Sequence, residues 1–395
     1  MKHIRPKRSI VDYIIYIVGA LLICACLSTG LQPASQSACD PEPAVQQARP
    51  ERTPASDPKP AASELSDMTV TFIDVAQGDA ALVELPDGKT MLIDAGEAST
   101  SQQVLDALDA ADVGRIDYLI ASHPHADHIG GMEAVLGAHD VTEIWAPDAP
   151  DTTRTYEGFL DAIEAKGLTI NAAEAGKTIV DDTAGYEVEL LAPAAGVESD
   201  DMNDYSAIVR IAYGDTALLF TGDASAADIV AANPGDIDVL KAAHHGSETG
   251  TNAAVMNETT PEYVVLSYAE GNSYGHPDQS VLDSISAAGA TAYSTAAHGN
   301  ITCVSDGTTV TITTERTGGI TAGMTAEERA AAEAAAQAEA QAQAQQQKDM
   351  VVITQTGSNY HRPGCRTLNR SKSTSTVTRS DAESMGLGPC GVCHP

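Results

Sequence analysis

The sequence predicts an α/β fold in which β-sheets are covered by α-helices. Short apolar runs with the length of strands alternate along the chain with segments that have helical character, and hairpin signals occur at both edges of this region. The chain has 395 residues, of which 43% are apolar, enough for one large domain with smaller appendages. Because only 4% of the residues are aromatic, the core must consist mainly of Val, Ile, Leu and Ala.

Two N-terminal segments are expected to lie outside this fold. Residues 1–31 combine a basic start with an apolar stretch at 14–27, a pattern typical of a signal peptide or a membrane anchor. Residues 32–66 are rich in Pro, Ala, Ser and charge, and are predicted to form a disordered linker. We therefore expect an extracytoplasmic protein that is secreted or anchored in the membrane through its N-terminus. The pattern leaves open whether the leader is retained, cleaved or lipidated.

The body of the protein, residues 67–318, contains the alternating strands and helices. The sequence Pro-Asp-Gly-Lys at 86–89 is a turn signal between two predicted strands. The predicted strands cover 70–75, 80–85, 90–96, 116–122, 217–221, 239–243 and 263–268, with two more within 291–314. Helices are predicted at about 101–111 and 278–288.

The body is strongly acidic. Residues 67–350 contain 10 basic and 47 acidic residues, a net charge of −37, whereas residues 351–395 carry a net charge of +3. A body with this charge repels free polyanions at long range, which argues against tight, salt-driven DNA binding by the body alone. Chemistry on phosphodiesters is not excluded, because a bound metal ion can dominate the field at its own site.

The strongest functional signal is the run His-Pro-His-Ala-Asp-His at 123–128. It follows the predicted strand 116–122 and precedes a Gly-Gly pair, so a rigid strand ends in a loop crowded with imidazoles and carboxylates, the groups that Zn²⁺ prefers. Residues of the same types stand at the ends of other apolar runs, and the full set of candidates is Asp94, His123, His125, Asp127, His128, Asp223, His244, His245 and His276. Together they predict a metal site shared by several strand ends, suited to hydrolysis with two cations.

Seven motifs occur in order along the body: FIDVAQGDA at 72–80, LIDAG at 92–96, HPHADH at 123–128, NDYS at 203–206, TGD at 221–223, HHGS at 244–247 and NSYGHP at 272–277. With these motifs, residues 68–315 resemble the metallo-β-lactamase superfamily. Within that superfamily they resemble the soluble domain of the ComEC-type competence proteins and their stand-alone relatives. The resemblance implies an αββα sandwich with metals at one edge of the sheets.

The resemblance also implies a ligand set. The implied ligands are His123 and His125 for a first metal, Asp127, His128 and one of His244 or His245 for a second metal, and Asp223 as the bridge between them. Asp94 would orient a ligand imidazole from behind. The wider superfamily has one more histidine before the bridging aspartate. Here Asn203 and Ser206 occupy that stretch as supporting residues, so we expect one or two divalent metals, zinc first and manganese as the alternative.

Asp127 and His276 are the candidate catalytic residues. His276 could donate a proton to the leaving group or hold a phosphate oxygen, and the alternative is a histidine that only packs within its loop. The expected function is a metal-dependent hydrolase, foremost a phosphodiesterase or nuclease that uses a metal-bound hydroxide. The alternatives are an acyl hydrolase of the β-lactamase type and a non-catalytic protein that binds nucleic acid or the cell envelope. We expect a monomer whose substrate contains a phosphodiester, in nucleic acid or in an envelope component.

Residues 319–350 are predicted to form a helical, low-complexity spacer. Thr325 with Glu328 matches a capping box, and the Ala and Gln residues that follow favour a helix. No apolar stripe runs along this segment. The helix is therefore expected to be surrounded by solvent.

Residues 351–395 are predicted to form a small module that is stapled by a structural zinc ion. The candidate ligands are His361, Cys365, Cys390 and Cys393, at spacings that fit a closed tetrahedral site. A unit of this size with few large apolar residues needs such a staple. The module resembles the metal-binding domain of Ada-type DNA repair proteins. Two alternatives remain open, a disulfide in an oxidising compartment and haem attachment at the Cys-x-x-Cys-His sequence 390–394.

Overall fold

The structure, a computed structural model, describes residues 65–395 of the chain. Short strands are the most frequent elements in this part. The predicted leader 1–31 and nearly all of the predicted linker 32–66 lie outside these residues. The strands of the body are β1 (Met68–Phe72), β2 (Ala81–Glu84), β3 (Thr90–Ile93), β4 (Arg115–Ile120), β5 (Asp140–Ala146), β6 (Ile170–Ala172), β7 (Lys177–Val180), β8 (Tyr186–Ala192), β9 (Ile208–Tyr213), β10 (Thr216–Phe220), β11 (Val239–Lys241), β12 (Tyr263–Leu266), β13 (Thr291–Ser294), β14 (Ile301–Ser305) and β15 (Val310–Thr314). The helices of the body are α1 (Ser101–Ala110), α2 (Ala126–Ile129), α3 (Met132–Ala138), α4 (Arg154–Lys166), α5 (Ala226–Ala232), α6 (Ala253–Thr259), α7 (Gln279–Ala288) and α8 (Thr295–His298).

These strands form two mixed sheets. The first sheet has the order β15-β14-β1-β2-β3-β4-β5-β6, and the second has the order β13-β12-β11-β10-β9-β8-β7. Strands β3 to β6 run parallel to one another, as do β10 to β13, whereas the remaining neighbours are antiparallel. The parallel part of each sheet is therefore the part in which several strand ends meet at a common edge.

The core lies between the two sheets. The rings of Phe72 on β1 and Phe220 on β10 stack with their centroids 5.8 Å apart, and aliphatic side chains from both sheets surround them. Two further apolar layers cover the outer faces. Helices α1, α3 and α4 pack on the first sheet, and α5, α6 and α7 pack on the second. This arrangement confirms the αββα sandwich that the sequence predicts.

Several strands end two or three residues before the predicted end. The strand predicted at 90–96 ends at Ile93, and the strand predicted at 239–243 ends at Lys241. In both cases the chain leaves the sheet where the candidate ligands begin, and Asp94 takes a left-handed conformation with φ 58°. The predictions included neither α4 nor the strands β5 to β9, and the region 291–314 holds three strands where two were expected.

The first described residues of the predicted linker pack against the body. Ser66 donates backbone and hydroxyl hydrogen bonds to the carbonyl oxygen of Pro86, at 3.0 and 3.1 Å, and the Leu65 side chain contacts the core. Residues just before the predicted boundary at residue 67 therefore also contact the body.

The spacer contains a solvated helix that begins directly after the predicted cap residue Thr325. Helix α9 spans Ala326–Lys348, and both hydrogen bonds of the predicted capping box between Thr325 and Glu328 are present. None of its residues is buried. Residues 319–325, which open the predicted spacer, precede the helix and are not helical. Within residues 65–395, no helix combines the length and the hydropathy that crossing a membrane requires.

The C-terminal module has little secondary structure. Its strands are β16 (Met350–Thr354), β17 (Asn359–Tyr360), β18 (Thr374–Thr378) and β19 (Gly388–Pro389), and its helix is α10 (Arg379–Ser384). They form two separate two-stranded ladders, β16-β18 and β17-β19. The buried apolar core consists of Val351, Tyr360 and Ala382, with three partly buried neighbours.

Candidate metal centre

The candidate ligands follow the ends of parallel strands. Asp94 follows β3 and the histidine-rich loop follows β4, its parallel neighbour in the first sheet. Asp223 follows β10 and His245 follows β11, which are parallel neighbours in the second sheet. Because the sheets pack face to face, these four ends converge on one site, as the sequence predicts.

Glycines allow the loops of the site to pack closely. Gly78 has φ 125°, and a Cβ atom placed there would lie 2.2 Å from the carbonyl oxygen of Asp127. A Cβ atom on Gly131 would lie equally close, 2.2 Å, to the carbonyl oxygen of Ala95. Both distances are far below van der Waals contact, so only glycine fits at either position. The backbone of the histidine-rich loop is thereby held against the loops that follow β1 and β3.

The ligand atoms form two groups that share one residue. In each group the potential ligand atoms lie within 4.8 Å of one another, and the two groups are His123, His125 and Asp223, and Asp79, His128, Asp223 and His245. Asp223 faces different histidines with its two oxygens. Its Oδ1 atom lies 3.2 Å from Nε2 of His128, and its Oδ2 atom lies 3.8 Å from Nε2 of His123. The carboxylate therefore has the geometry of a bridge between two cation sites.

Asp94 lies behind His128. Its carboxylate accepts hydrogen bonds from Nδ1 of His128 at 2.8 Å and from the backbone N–H and hydroxyl of Ser122, both at 2.7 Å. This fixes the His128 ring and leaves its Nε2 atom directed at Asp223. Asp94 thus has the orienting position that the resemblance implies.

Of the two adjacent histidines, His245 is the one directed into the second group. Its Nε2 atom lies 3.1 Å from Asp127 Oδ2 and 3.6 Å from Asp223 Oδ1, and its side chain is almost fully buried. His244 is more exposed, and its Nε2 atom lies 3.7 Å from Asp223 Oδ2. Both residues have positive φ, which turns their side chains in different directions.

The sequence analysis did not single out Lys241, and it included Asp79 in the motif 72–80 without predicting it as a ligand. Asp79 Oδ1 lies 3.2 Å from Nδ1 of His245, and Asp79 Oδ2 forms an ion pair with Nζ of Lys241 at 2.8 Å. Both side chains are more than nine-tenths buried. The sequence did contain one signal for this ion pair, a lysine at the end of the otherwise apolar strand β11. A lysine buried in such a strand requires an anionic partner.

The electrostatics of the site reflect this close packing of acids and bases. Burial works against the charge on His245, but the carboxylates of Asp223 and Asp79 outweigh it and raise the pKa of His245 to about 10. Burial likewise opposes ionisation of Asp79, yet Lys241 and His245 lower its pKa to about 2. His123 behaves in the opposite way, because burial and the neighbouring His128 lower its pKa.

The donor set fits divalent cations. Among the side-chain atoms of the two ligand groups, three are buried without a hydrogen-bond partner in the described part of the chain: His128 Nε2, Asp223 Oδ1 and Asp79 Oδ1. Buried polar atoms without partners are rare in native proteins and are expected where an ion binds. All three belong to the second group, and imidazole nitrogen with carboxylate oxygen suits Zn²⁺ and related ions.

The site opens into a cavity of about 300 Å³. Its lining includes Asp223 and His245 from the ligand groups, together with Gln77, Tyr274 and His276. Asp127, which was predicted as a ligand of the second metal, also lines the cavity but belongs to neither group, and Asp79 occupies its place in the second group. The structure thus brings His276 to the same cavity as the ligands. Burial and the nearby His244 lower the pKa of His276 to about 4, so its imidazole is neutral at pH 7.

The two supporting residues differ in their contacts. The hydroxyl of Ser206 accepts a hydrogen bond from the backbone N–H of Asp223 at 3.1 Å, so Ser206 holds the bridging residue. Asn203 does not line the cavity, and its side-chain oxygen is buried without a hydrogen-bond partner in the described part of the chain. Of the pair, only Ser206 has a visible connection to the ligand groups.

The C-terminal module contains a third group of potential ligands. His361, Cys365, Cys390 and Cys393 offer ligand atoms that lie within 4.8 Å of one another. Hydrogen bonds from the hydroxyl and backbone N–H of Thr367 lower the pKa of Cys365 to about 6, which favours the thiolate form that binds metals. No disulfide joins the cysteines within residues 65–395.

Comparison with known proteins agrees with the fold. A family model described as the metallo-beta-lactamase superfamily matches residues 73–269. These residues belong to the metallo-β-lactamase superfamily. The superfamily fold binds divalent metals, and both groups that share Asp223 lie within the matched domain.

The metallo-β-lactamase domain is similar to parts of three curated proteins. Competence protein ComA of Neisseria gonorrhoeae is 31% identical over 237 residues, which cover 58% of this chain and 31% of that protein. Recombination protein 2 of Haemophilus influenzae is 28% identical, covering 54% and 26% of the two chains, and ComE operon protein 3 of Bacillus subtilis is 26% identical, covering 55% and 30%. The chain therefore spans about a third of the length of these relatives.

The chain is also similar to solved structures of other proteins. The metallo-beta-lactamase fold protein YhfI of Bacillus subtilis has 15% identity and a TM-score of 0.43, covering 60% of this chain and 100% of that one. A diphosphatase from the PhnP family has 15% identity and a TM-score of 0.32, covering 50% of this chain and 85% of that one.

Replacing Asp94 is expected to weaken metal binding without unfolding the metallo-β-lactamase domain. In Asp94→Asn the acceptor for Nδ1–H of His128 is weakened, so the ring loses its fixed direction and metal affinity falls by roughly 10- to 100-fold. Competition with a chelating dye measures the affinity. Asp117→Asn is the matched control, since Asp117 is also a buried acid but accepts hydrogen bonds from Thr90 and Arg115, away from the site. Equal affinities for wild type and Asp94→Asn would contradict the orienting role.

Replacing Lys241 is expected to destabilise the metal-free domain more than the metal-loaded one. In Lys241→Met, Asp79 keeps its buried charge but loses its cation, and breaking such a pair costs about 3–5 kcal/mol of unfolding free energy. A divalent ion beside Asp79 would compensate part of this loss. Urea unfolding with chelator and with added Zn²⁺ measures both values. An equal loss of unfolding free energy with chelator and with Zn²⁺ would show that Asp79 does not interact with the bound metal.

Proposed function

We propose that this protein is a metal-dependent hydrolase that cleaves phosphodiesters. The observation that carries the proposal is the pair of ligand groups joined by Asp223, because two neighbouring cations suit in-line displacement at phosphorus. When bound, divalent cations polarise a phosphoryl oxygen and lower the pKa of a coordinated water. We propose zinc as the first candidate and manganese as the alternative.

The chain's own residues would prepare the site for this chemistry. Asp94 accepts a hydrogen bond from the outer nitrogen of His128, and the carbonyl oxygen of Ser267 accepts one from the outer nitrogen of His245. The inner nitrogens of both rings are thereby directed at Asp223. His276, neutral at pH 7, can donate an N–H hydrogen bond to a phosphate oxygen from the cavity wall. This favours the holding role of His276 over that of a strong acid.

The proposal is tested by removing His128 of the second group together with its neighbour Asp127, whose Oδ2 atom lies 3.1 Å from Nε2 of His245. We expect the wild-type protein with added Zn²⁺ or Mn²⁺ to hydrolyse bis(p-nitrophenyl) phosphate. The Asp127→Ala/His128→Ala variant should lose more than the roughly 100-fold that loss of an orienting partner costs. The matched control is His139→Ala/Asp140→Ala, an adjacent His-Asp pair outside the cavity, with Asp140 exposed to solvent.

A parallel assay with nitrocefin separates the alternatives. Turnover of nitrocefin but not of the phosphodiester would assign an acyl hydrolase of the β-lactamase type. Bound metal without turnover of either compound would support a binding protein. Unchanged phosphodiester turnover in the Asp127→Ala/His128→Ala variant would reject the proposed site.

We also propose a structural zinc ion in the C-terminal module and a location outside the cytoplasmic membrane. The close approach of His361, Cys365, Cys390 and Cys393 supports the zinc ion. The basic start and apolar stretch of residues 1–31 support an exported or membrane-anchored protein. Metal analysis of the purified chain and fractionation of cells that produce it test these two points.

A further inference from the structure

Four aromatic rings form a row from the buried metal centre to the mouth of the cavity. The ring centroids of His245 and His244 are 6.2 Å apart, those of His244 and His276 are 5.5 Å apart, and those of His276 and Tyr274 are 5.8 Å apart. Exposure rises along the row, from 2% for His245 to 61% for Tyr274. A substrate whose phosphate reaches the ligand groups can therefore extend along this row toward solvent.

Tyr274 presents a free aromatic face at the end of the row. Its ring is nearly parallel to that of His276, with 22° between the planes, so one face of Tyr274 is covered. The remaining surface accounts for the 61% exposure, and Tyr274 lines the same cavity as Asp127 and Asp223. An exposed aromatic side chain beside a catalytic cavity is suited to stacking against a planar ring.

The loop that carries Tyr274 is held rigidly from within by Asn272. The side-chain oxygen of Asn272 accepts hydrogen bonds from the backbone N–H groups of Tyr274, Gly275 and His276, at 3.1, 3.0 and 3.1 Å. Its side-chain nitrogen donates to the carbonyl oxygen of His276 at 2.6 Å. The direction of the Tyr274 backbone is therefore fixed before any ligand binds.

The segment before helix α9 holds the same loop from outside. Thr325 forms an antiparallel bridge with Tyr274, and Arg329 donates from Nη2 to the carbonyl oxygens of Gly271 and Asn272, both at 3.0 Å. A Cβ atom on Gly323 would lie 2.5 Å from the backbone of Gly275. The beginning of the predicted spacer thus packs tightly on the loop of the cavity.

We propose that Tyr274 is a stacking platform that selects phosphodiesters carrying an aromatic base, that is, nucleotide substrates rather than sugar or polyol phosphates of the envelope. The inference rests on the proposed phosphodiesterase function. The charges of the body do not attract a chain of phosphates. The body carries many more acidic than basic residues, and Lys241, the lysine beside the ligand group, is buried and paired with Asp79. We therefore attribute the affinity for the substrate to stacking on Tyr274. A platform held in place in advance loses little conformational entropy when the ring binds.

A platform that binds an unstacked base should prefer single-stranded over double-stranded nucleic acid. A base inside a duplex already stacks on its neighbours and is not free to lie on Tyr274, whereas a base in a single strand is available. Stacking of one base on an aromatic side chain corresponds to about 5- to 150-fold in affinity.

The test measures binding, so that it does not depend on turnover. A thymidine dinucleotide with a non-hydrolysable methylenephosphonate link is compared with the same compound lacking the base on one sugar, by calorimetric titration of the full chain with Zn²⁺ present. We expect wild type to bind the complete compound about 5- to 150-fold more tightly. Tyr274→Ala should bring the ratio of the two dissociation constants close to one, and Tyr274→Phe should retain it.

Arg329 provides a second variant, because it acts on Tyr274 only through the loop. Arg329→Met should lower the ratio of dissociation constants, by less than Tyr274→Ala does. Arg316→Met is the matched control and should leave the ratio unchanged. Arg316 also donates from Nη2 to two backbone carbonyls, those of Thr295 and Ala296, and neither of these residues lines the cavity.

The outcomes separate this inference from the function on which it rests. A wild-type ratio near one, or an undiminished ratio in Tyr274→Ala, overturns the platform even if bis(p-nitrophenyl) phosphate is hydrolysed. No binding of either dinucleotide overturns it as well. A wild-type ratio well above one that collapses in Tyr274→Ala supports it, and absence of phosphodiester turnover would then reject the hydrolase alone.

Discussion

We expect the C-terminal module to unfold when the proposed zinc ion is removed, while the metallo-β-lactamase domain remains folded. Three buried apolar side chains, Val351, Tyr360 and Ala382, are too few to offset the conformational entropy of this unit. Structural zinc supplies about 10–16 kcal/mol in zinc-finger peptides, far more than this core can. In Cys390→Ser, residues 350–395 should lose protection from amide hydrogen exchange, and the zinc content should fall by one ion.

Cys303→Ala is the control for loss of a thiol. Cys303 is buried in the core between the sheets, so its replacement leaves the four residues of the module intact. The module should remain protected in this variant. Retained protection of residues 350–395 in Cys390→Ser would show that the module does not need a metal, and a disulfide between its cysteines would then have to be sought under oxidising conditions.

Replacing Asp223 is expected to abolish both cation sites of the domain together. Each oxygen of this carboxylate faces a different histidine, so Asp223→Asn removes an anionic ligand from both groups at once. The fall in phosphodiester turnover should exceed the roughly 10- to 100-fold that follows loss of an orienting partner such as Asp94. Metal content, measured on the folded variant after dialysis, should fall by the full number of ions bound by the wild-type domain.

The matched control is Asp215→Asn, which makes the same change at the other end of β10. Asp215 lies in the exposed turn between β9 and β10, away from the cavity. Loss of one ion with the other retained would contradict the bridge and would assign Asp223 to a single site. The His123–His125 group would then be the one to examine, since it has fewer protein ligands.

Most of the site could be predicted because the ligands form short motifs after apolar strands. The run 123–128 contains three of them, His123, His125 and His128, and its position after β4 indicates where they lie. The choice between His244 and His245 could not be made, because both follow β11 and only the backbone turn at these positions decides which ring faces Asp223.

The contribution of Asp79 and Lys241 could not be predicted for a different reason. Their ion pair joins a loop of the first sheet to the end of β11 in the second sheet, across more than half of the domain sequence. Asp79 lies in the motif 72–80, but nothing in that motif indicates a contact with Lys241. The role of Arg329 could not be predicted either. Its position in the Ala- and Gln-rich segment placed it in the predicted spacer, although its guanidinium contacts the cavity loop.

The position of β1 has a consequence for how the domain is made. β1 pairs on one side with β2, a few residues away, and on the other side with β14, more than two hundred residues further along the chain. The interior of the first sheet therefore cannot close until Ile301–Ser305 has been synthesised. Contacts of such long range slow folding and leave unpaired strand edges exposed in the meantime. Nascent chains that stop short of β14 should accordingly depend on chaperones and be sensitive to proteases.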